Sequence, residues 1–185
     1  MTPLTKILTH SLKALTVLGA LCLVNGCASY KLGSSADLPF QTIYIKPVSN
    51  HSFAPQAQAV VSAQLREAFI HDGRVKVLAD EEAADVVLIV DLTEYKSNPA
   101  ARNDRDTEVA RNFDIKLSSE FSLYNQNKGD YLFENRQVTV MTLAYISNPY
   151  LPVGAAQTQA FSQAEHQAMP TLARSLARKI ADEVL

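Results

Sequence analysis

Cysteine is scarce in this chain: 185 residues hold two, Cys22 and Cys27, both near the amino terminus. Beyond Cys27 no thiol exists for a disulfide, a metal or a nucleophile. Glycine is also sparse, with six in all, and none builds a loop that could cradle phosphate. His51, His71 and His166 lie scattered, without the spacing of a metal site or a catalytic triad. Asn103-Asp104-Arg105-Asp106 has the start of a calcium loop but lacks its glycine and its closing acidic residue. Positive charge is not in excess, with 17 Lys and Arg against 19 Asp and Glu, which excludes a generally basic nucleic-acid binder. No apolar run is long enough for a permanent membrane span. No catalytic residue, metal site or cofactor is therefore assigned, and the expected role is non-enzymatic.

What the chain does have begins at its start. Lys6 and Lys13 bracket a basic segment, and residues 14–24 run apolar apart from Thr16, Gly19 and Cys22. Val24-Asn25-Gly26-Cys27 then matches the bacterial lipobox order of apolar, small, Gly or Ala, Cys, although Asn25 is larger than usual. Cys22 is the poorer acceptor, because Leu21 stands where a small residue is needed. The layout predicts a signal peptide over 1–26 and fatty acylation of Cys27. Ala28-Ser29 carry no Asp of the inner-membrane retention type, so the expected address is the periplasmic face of the outer membrane. The 185 residues less the 26 of the signal leave 159, one domain's worth. Losing two lysines and no acid takes the net charge from −2 to −4.

Residues 27–40 read as the acylated terminus and a tether of little order, with Gly33-Ser34-Ser35 and Pro39. The domain is expected over 41–185. Residues 42–48 have the β-branched and aromatic content of a strand ending at Pro47, and 50–55 read as a loop. Residues 57–71 have helical spacing, with Val61, Leu65, Ala68 and Phe69 on one stripe and Gly73 placed to close it. Val75 and Val77 make a short strand, followed by an acidic turn over 80–84. The unbroken apolar run of 86–90 predicts a strand covered on both faces. Residues 96–112 show no hydrophobic period and read as a long exposed loop.

Phe113, Ile115, Leu117, Ser119, Phe121 and Leu123 alternate with polar residues, the clearest half-buried strand in the chain. A turn at Gly129 leads to a partner strand from Tyr131 to about Ala144, forming an antiparallel hairpin. Met169, Leu172, Leu176, Ile180 and Val184 mark one face of a last helix over 157–185, which Pro170 should kink or split. The expected class is α/β (α+β): a two-layer sandwich of two helices on one mixed four- to five-stranded sheet, in the order β-α-β-β-β-β-α.

Several segments together resemble a known family. Cys27 followed by Tyr30-Lys31-Leu32 is similar to the Cys-Gly-Tyr-x-Leu start of the LptE-type lipopolysaccharide-assembly lipoproteins. Ile43-Tyr44-Ile45-Lys46-Pro47-Val48-Ser49-Asn50 resembles that family's first strand and loop. Gln64-Leu65-Arg66-Glu67-Ala68-Phe69, Gly73-Arg74-Val75-Lys76-Val77 and Ala83-Ala84-Asp85-Val86-Val87-Leu88 continue the pattern towards Tyr95, and an Ala/Leu-rich helix ends it. The chain departs from the pattern at Ala28-Ser29, Ser49 and His51.

The resemblance implies partners rather than a reaction. Members plug a large outer-membrane β-barrel of LptD type, assist its assembly, help lipopolysaccharide reach the outer leaflet and contact that lipid. Together with an acyl anchor in the membrane, the expected partners are thus the barrel and lipopolysaccharide, with no nucleic acid. Guanidinium and ammonium groups suit phosphorylated sugar headgroups, so Lys96, Arg102, Arg105 and Arg111 of the expected loop are candidate lipid contacts. Asp104, Asp106 and Glu108 interleave with them, which is also the composition of a plain solvated loop. Arg136 on the hairpin is a further candidate. The alternative reading is a free periplasm-facing lipoprotein that holds a small lipid or hydrophobic ligand in an apolar cavity between sheet and helices.

Overall fold

The computed structural model describes residues 38–102, 110–146 and 155–185. Its elements are β1 (Thr42–Ile45), β2 (Ser49–Asn50), α1 (Ala57–Asp72), β3 (Lys76–Leu78), β4 (Val86–Arg102), β5 (Ala110–Asn125), β6 (Asp130–Tyr145) and α2 (Ala155–Val184). The sheet runs β3-β1-β4-β5-β6, with β2 also paired to β4. β1 pairs parallel with β3 and β4, whereas β4, β5 and β6 form an antiparallel meander. The two-layer α+β class is as expected. The sheet is larger by the two-residue β2, giving six strands, because the chain resumes pairing with β4 after the break at Pro47.

One sheet face meets both helices. On α1, Ala57, Val61, Leu65 and Phe69 are fully buried at i+4 spacing, which places one stripe on the sheet. Gly73 closes the helix at φ 74°, its N–H donating to the Phe69 carbonyl at 3.2 Å. On α2, Met169, Leu172, Leu176, Ile180 and Val184 are buried as their spacing predicts. The helix is continuous through Pro170 rather than split. Burial along one side supplies the stabilisation that the missing backbone bond forgoes. The domain also reaches further back than the expected tether boundary, since Phe40 is buried in the core.

Two expectations on β4 are corrected. Among the described residues, no second layer lies over the far face of its apolar run. Val87 is buried instead between its register neighbours Tyr44 and Tyr124. More consequentially, residues 96–112 are not one long loop: β4 continues to Arg102 and β5 starts at Ala110. The hydrophobic period was hidden by a bulge between Leu92 and Glu94. Before it, Val86, Leu88, Val90 and Leu92 face the helices; after it, Tyr95, Ser97 and Pro99 do, opposite Leu117, Ile115 and Phe113. An extra residue in one strand switches its alternation, and serine and proline do not read as core. Pro99 is tolerated because β1 and β2 have ended by Leu92, which among the described residues leaves that side of β4 an edge.

Asp85 ties the first strand to the centre. Its Oδ2 accepts from the backbone N–H of Gln41 and Thr42 and from the Thr42 hydroxyl at 2.8–3.0 Å. Its Oδ1 accepts from Asn127 Nδ2 at 3.2 Å. The Gln41 bond first, then those of Thr42, hold its carboxyl below the usual aspartate range. A depressed carboxyl stabilises the fold above the unfolded value of about 3.9, and that contribution fades as pH falls through the lower folded value. Asp85→Asn is expected to cost about 1–3 kcal/mol near neutral pH. In urea unfolding at stepped pH, the gap to wild type should close on the acid side; a gap unchanged down to pH ~2 would count against this role.

Candidate functional site

Beyond Leu92, β4, β5 and β6 form an arm that continues past the ends of β1 and β2. Its helix-facing side is joined to α2. Phe113 packs edge-on against Phe161 with ring centroids 4.6 Å apart. The Tyr95 hydroxyl donates to Glu165, and burial, followed by that bond, pushes the phenol's pKa upward. It stays a donor throughout the physiological range. The opposite side of the arm is exposed, and along β4 and β5 it is polar. Glu94 stands there with Lys96 on one side and Lys116, at 3.9 Å, on the other. The Lys96 bond above all holds the Glu94 carboxyl low, so both lysines keep a charged partner.

The arm gathers part of the sequence-derived set. Lys96 is exposed on the open face, directly opposite Lys116. Arg102 ends β4 in register with Ala110, and Arg111 follows on β5, so the two backbones share the far end of the arm. Their side chains, like the whole of Arg105 and Cys27, lie outside the described residues. Lys96 and Arg102 are separated by about 20 Å of strand.

Arg136 stands apart. It pairs in register with Phe121, lies over the Phe133 ring at 4.1 Å and donates to the Glu183 carbonyl at 3.4 Å. A cation on the last carbonyls of a helix is a favourable structural contact in its own right.

Sequence reasoning missed Lys116, a lone lysine whose significance comes only from its register with Lys96. It also missed an apolar row on the open face of β6: Met141 and Tyr145 at 65% exposure, with Leu143 at 40%. The signal was present in residues 138–145, where both alternating sets include apolar side chains. Phe53 is a third omission, 95% exposed on a turn fixed by Asn50, whose Oδ1 accepts from the Ser52 N–H and hydroxyl at 2.9 and 2.7 Å.

No enclosed apolar cavity separates sheet from helices among the described residues. That space is filled by fully buried Phe69, Phe121, Leu65, Leu117, Leu172 and Leu176. A groove of about 310 Å³ lies between α1 and α2, lined by side chains of both charges, including Glu67, His71, Arg174 and Asp182.

A small two-layer α+β domain with a long arm of three antiparallel strands is thus defined. The family model described as "LptE: Lipopolysaccharide-assembly" matches residues 40–184. The chain belongs to this family of non-enzymatic lipopolysaccharide-assembly lipoproteins. No curated protein matches it in sequence. Among solved structures, a hypothetical protein from Chlamydia trachomatis shares the fold at TM-score 0.51 and 11% identity, over 78% of this chain and 95% of that one. An uncharacterized lipoprotein B from Nitrosomonas europaea aligns at TM-score 0.49 and 17% identity, covering 82% and 86%. A minor lipoprotein from Acinetobacter baumannii aligns at 0.45 and 16%, covering 79% and 94%.

Proposed function

We propose that the chain loses residues 1–26, is acylated on Cys27, and sits on the periplasmic side of the outer membrane. There it plugs an LptD-type barrel, assists its assembly and helps lipopolysaccharide to the outer leaflet. The observation that carries this reading is the family match across the whole domain, 40–184. The domain's polarity supports it. The chain enters beside Thr42 at one end of the sheet, and the arm bearing Lys96, Lys116, Arg102 and Arg111 extends from the other. Along β4 those ends are roughly 50 Å apart. A protein held by acyl chains at one end can therefore present its basic residues well away from the anchoring surface. A mixed-charge open sheet face also suits the hydrated lumen of a large barrel.

Depletion of the protein tests the reading. The folded barrel and surface lipopolysaccharide should both fall; unchanged barrel abundance would sink the assembly role. For the arm, replacing Arg102, Arg105 and Arg111 together with Ala should weaken lipopolysaccharide binding by about tenfold or more, each charge-assisted phosphate bond contributing on the order of 1.5–3 kcal/mol before solvent screening. Arg136→Ala should leave that affinity near wild type and lower stability instead. Equal binding by the triple variant would remove the tip from the lipid site.

A further inference from the structure

β6 ends the strand order, so among the described residues no strand lies beside its outer edge. The edge is unevenly defended. Over its first half α2 leans across: Lys179 Nζ donates to the Thr139 carbonyl at 3.1 Å, and Arg136 reaches the Glu183 carbonyl. A lysine on an edge carbonyl is one way that sheets refuse a further strand. Past Thr139, among the described residues, no side chain bonds the backbone of 140–145. That same stretch carries the exposed row Met141, Leu143 and Tyr145. Beside it a groove of about 210 Å³ runs between the edge and α2, with buried Ala144, Ala164 and Ala168 at its base and exposed Gln167 and Thr171 along it.

We propose that residues 141–145 of β6 receive an extended segment of a partner protein, which joins the sheet as one more strand. A row of alternating backbone donors and acceptors is matched by another strand and not by acyl chains. The register argues the same way. Lys116 and Asp114 stand directly opposite Met141 and Leu143, so sinking this face into a bilayer would also bury both charges. The incoming segment should carry apolar side chains at every second position, to cover the exposed row. It should carry small ones between, where the alanine base leaves little depth. This inference goes beyond the barrel reading and holds whichever protein supplies the strand.

The test places a photo-reactive aromatic amino acid at Met141, Leu143 or Tyr145, singly, in the full acylated chain in its own membrane. Adducts are then mapped by mass spectrometry. The three positions should react with one partner segment, at residues that step by two. Adducts on lipid, on a second copy, on this chain's own residues or on scattered segments would overturn the proposal, as would no adduct at all. In a second arm, Leu143→Lys adds an edge charge at a partly exposed position. Adduct yield from Met141 and Tyr145 should fall at least about tenfold while the urea midpoint stays near wild type. Undiminished yield would also overturn it.

Discussion

Cys27→Ala should strip the chain from the outer membrane. The reading of residues 1–27 makes that sulfur the sole covalent link to lipid, since Cys22 leaves with the signal and no other thiol exists. Buried acyl chains contribute roughly 0.8 kcal/mol per methylene, and two or more hold a protein stably where one does so only reversibly. Without the thiol no acyl chain can be added, and processing at Gly26 should fail as well. Density-gradient fractions should show the outer-membrane share of the variant falling by about tenfold or more, with uncleaved or released protein elsewhere. An undiminished share would mean that the domain is held by contacts of its own.

The second large effect lies in the core. Phe121→Ala is expected to cost about 3–5 kcal/mol, the range for a buried aromatic cut to a methyl. Phe121 is 1% exposed, faces the helices from the second-last strand, and packs edge-on against Phe133 with centroids 5.6 Å apart. Against the 5–15 kcal/mol typical of a whole domain, that loss should leave a marginal fold. Phe53→Ala is the matched control: at 95% exposure it should shift stability by no more than about 0.5 kcal/mol. Urea unfolding of both variants checks the pair. A loss below about 1 kcal/mol at Phe121 would contradict the register of β5 against its neighbours.

Legibility in the sequence followed the regularity of each element. β5 was readable because six successive inward positions, Phe113 to Leu123, alternate without a break, and all of them pair as that pattern requires. α1 and α2 were readable for the same reason at helical spacing, down to the left-handed Gly73. The arm was not. A single bulge at Leu92/Glu94 exchanged the two faces of β4, after which Ser97 and Pro99 occupied inward positions that no periodicity count would score. The candidate surface was correspondingly half visible. Lys96, Arg102 and Arg111 stood out as charges, but their placement on paired strands, and the partnership of Lys96 with Lys116, depended on register. Arg136 shows the reverse: conspicuous as a lone hairpin cation, it is engaged with a helix terminus and an aromatic ring.

Purification through this chain from detergent-extracted outer membranes tests the central claim most directly. The account predicts a stable complex in which a large β-barrel accompanies the acylated protein in equal number. Recovery of the acylated protein alone, as a monomer free of any barrel, would contradict it.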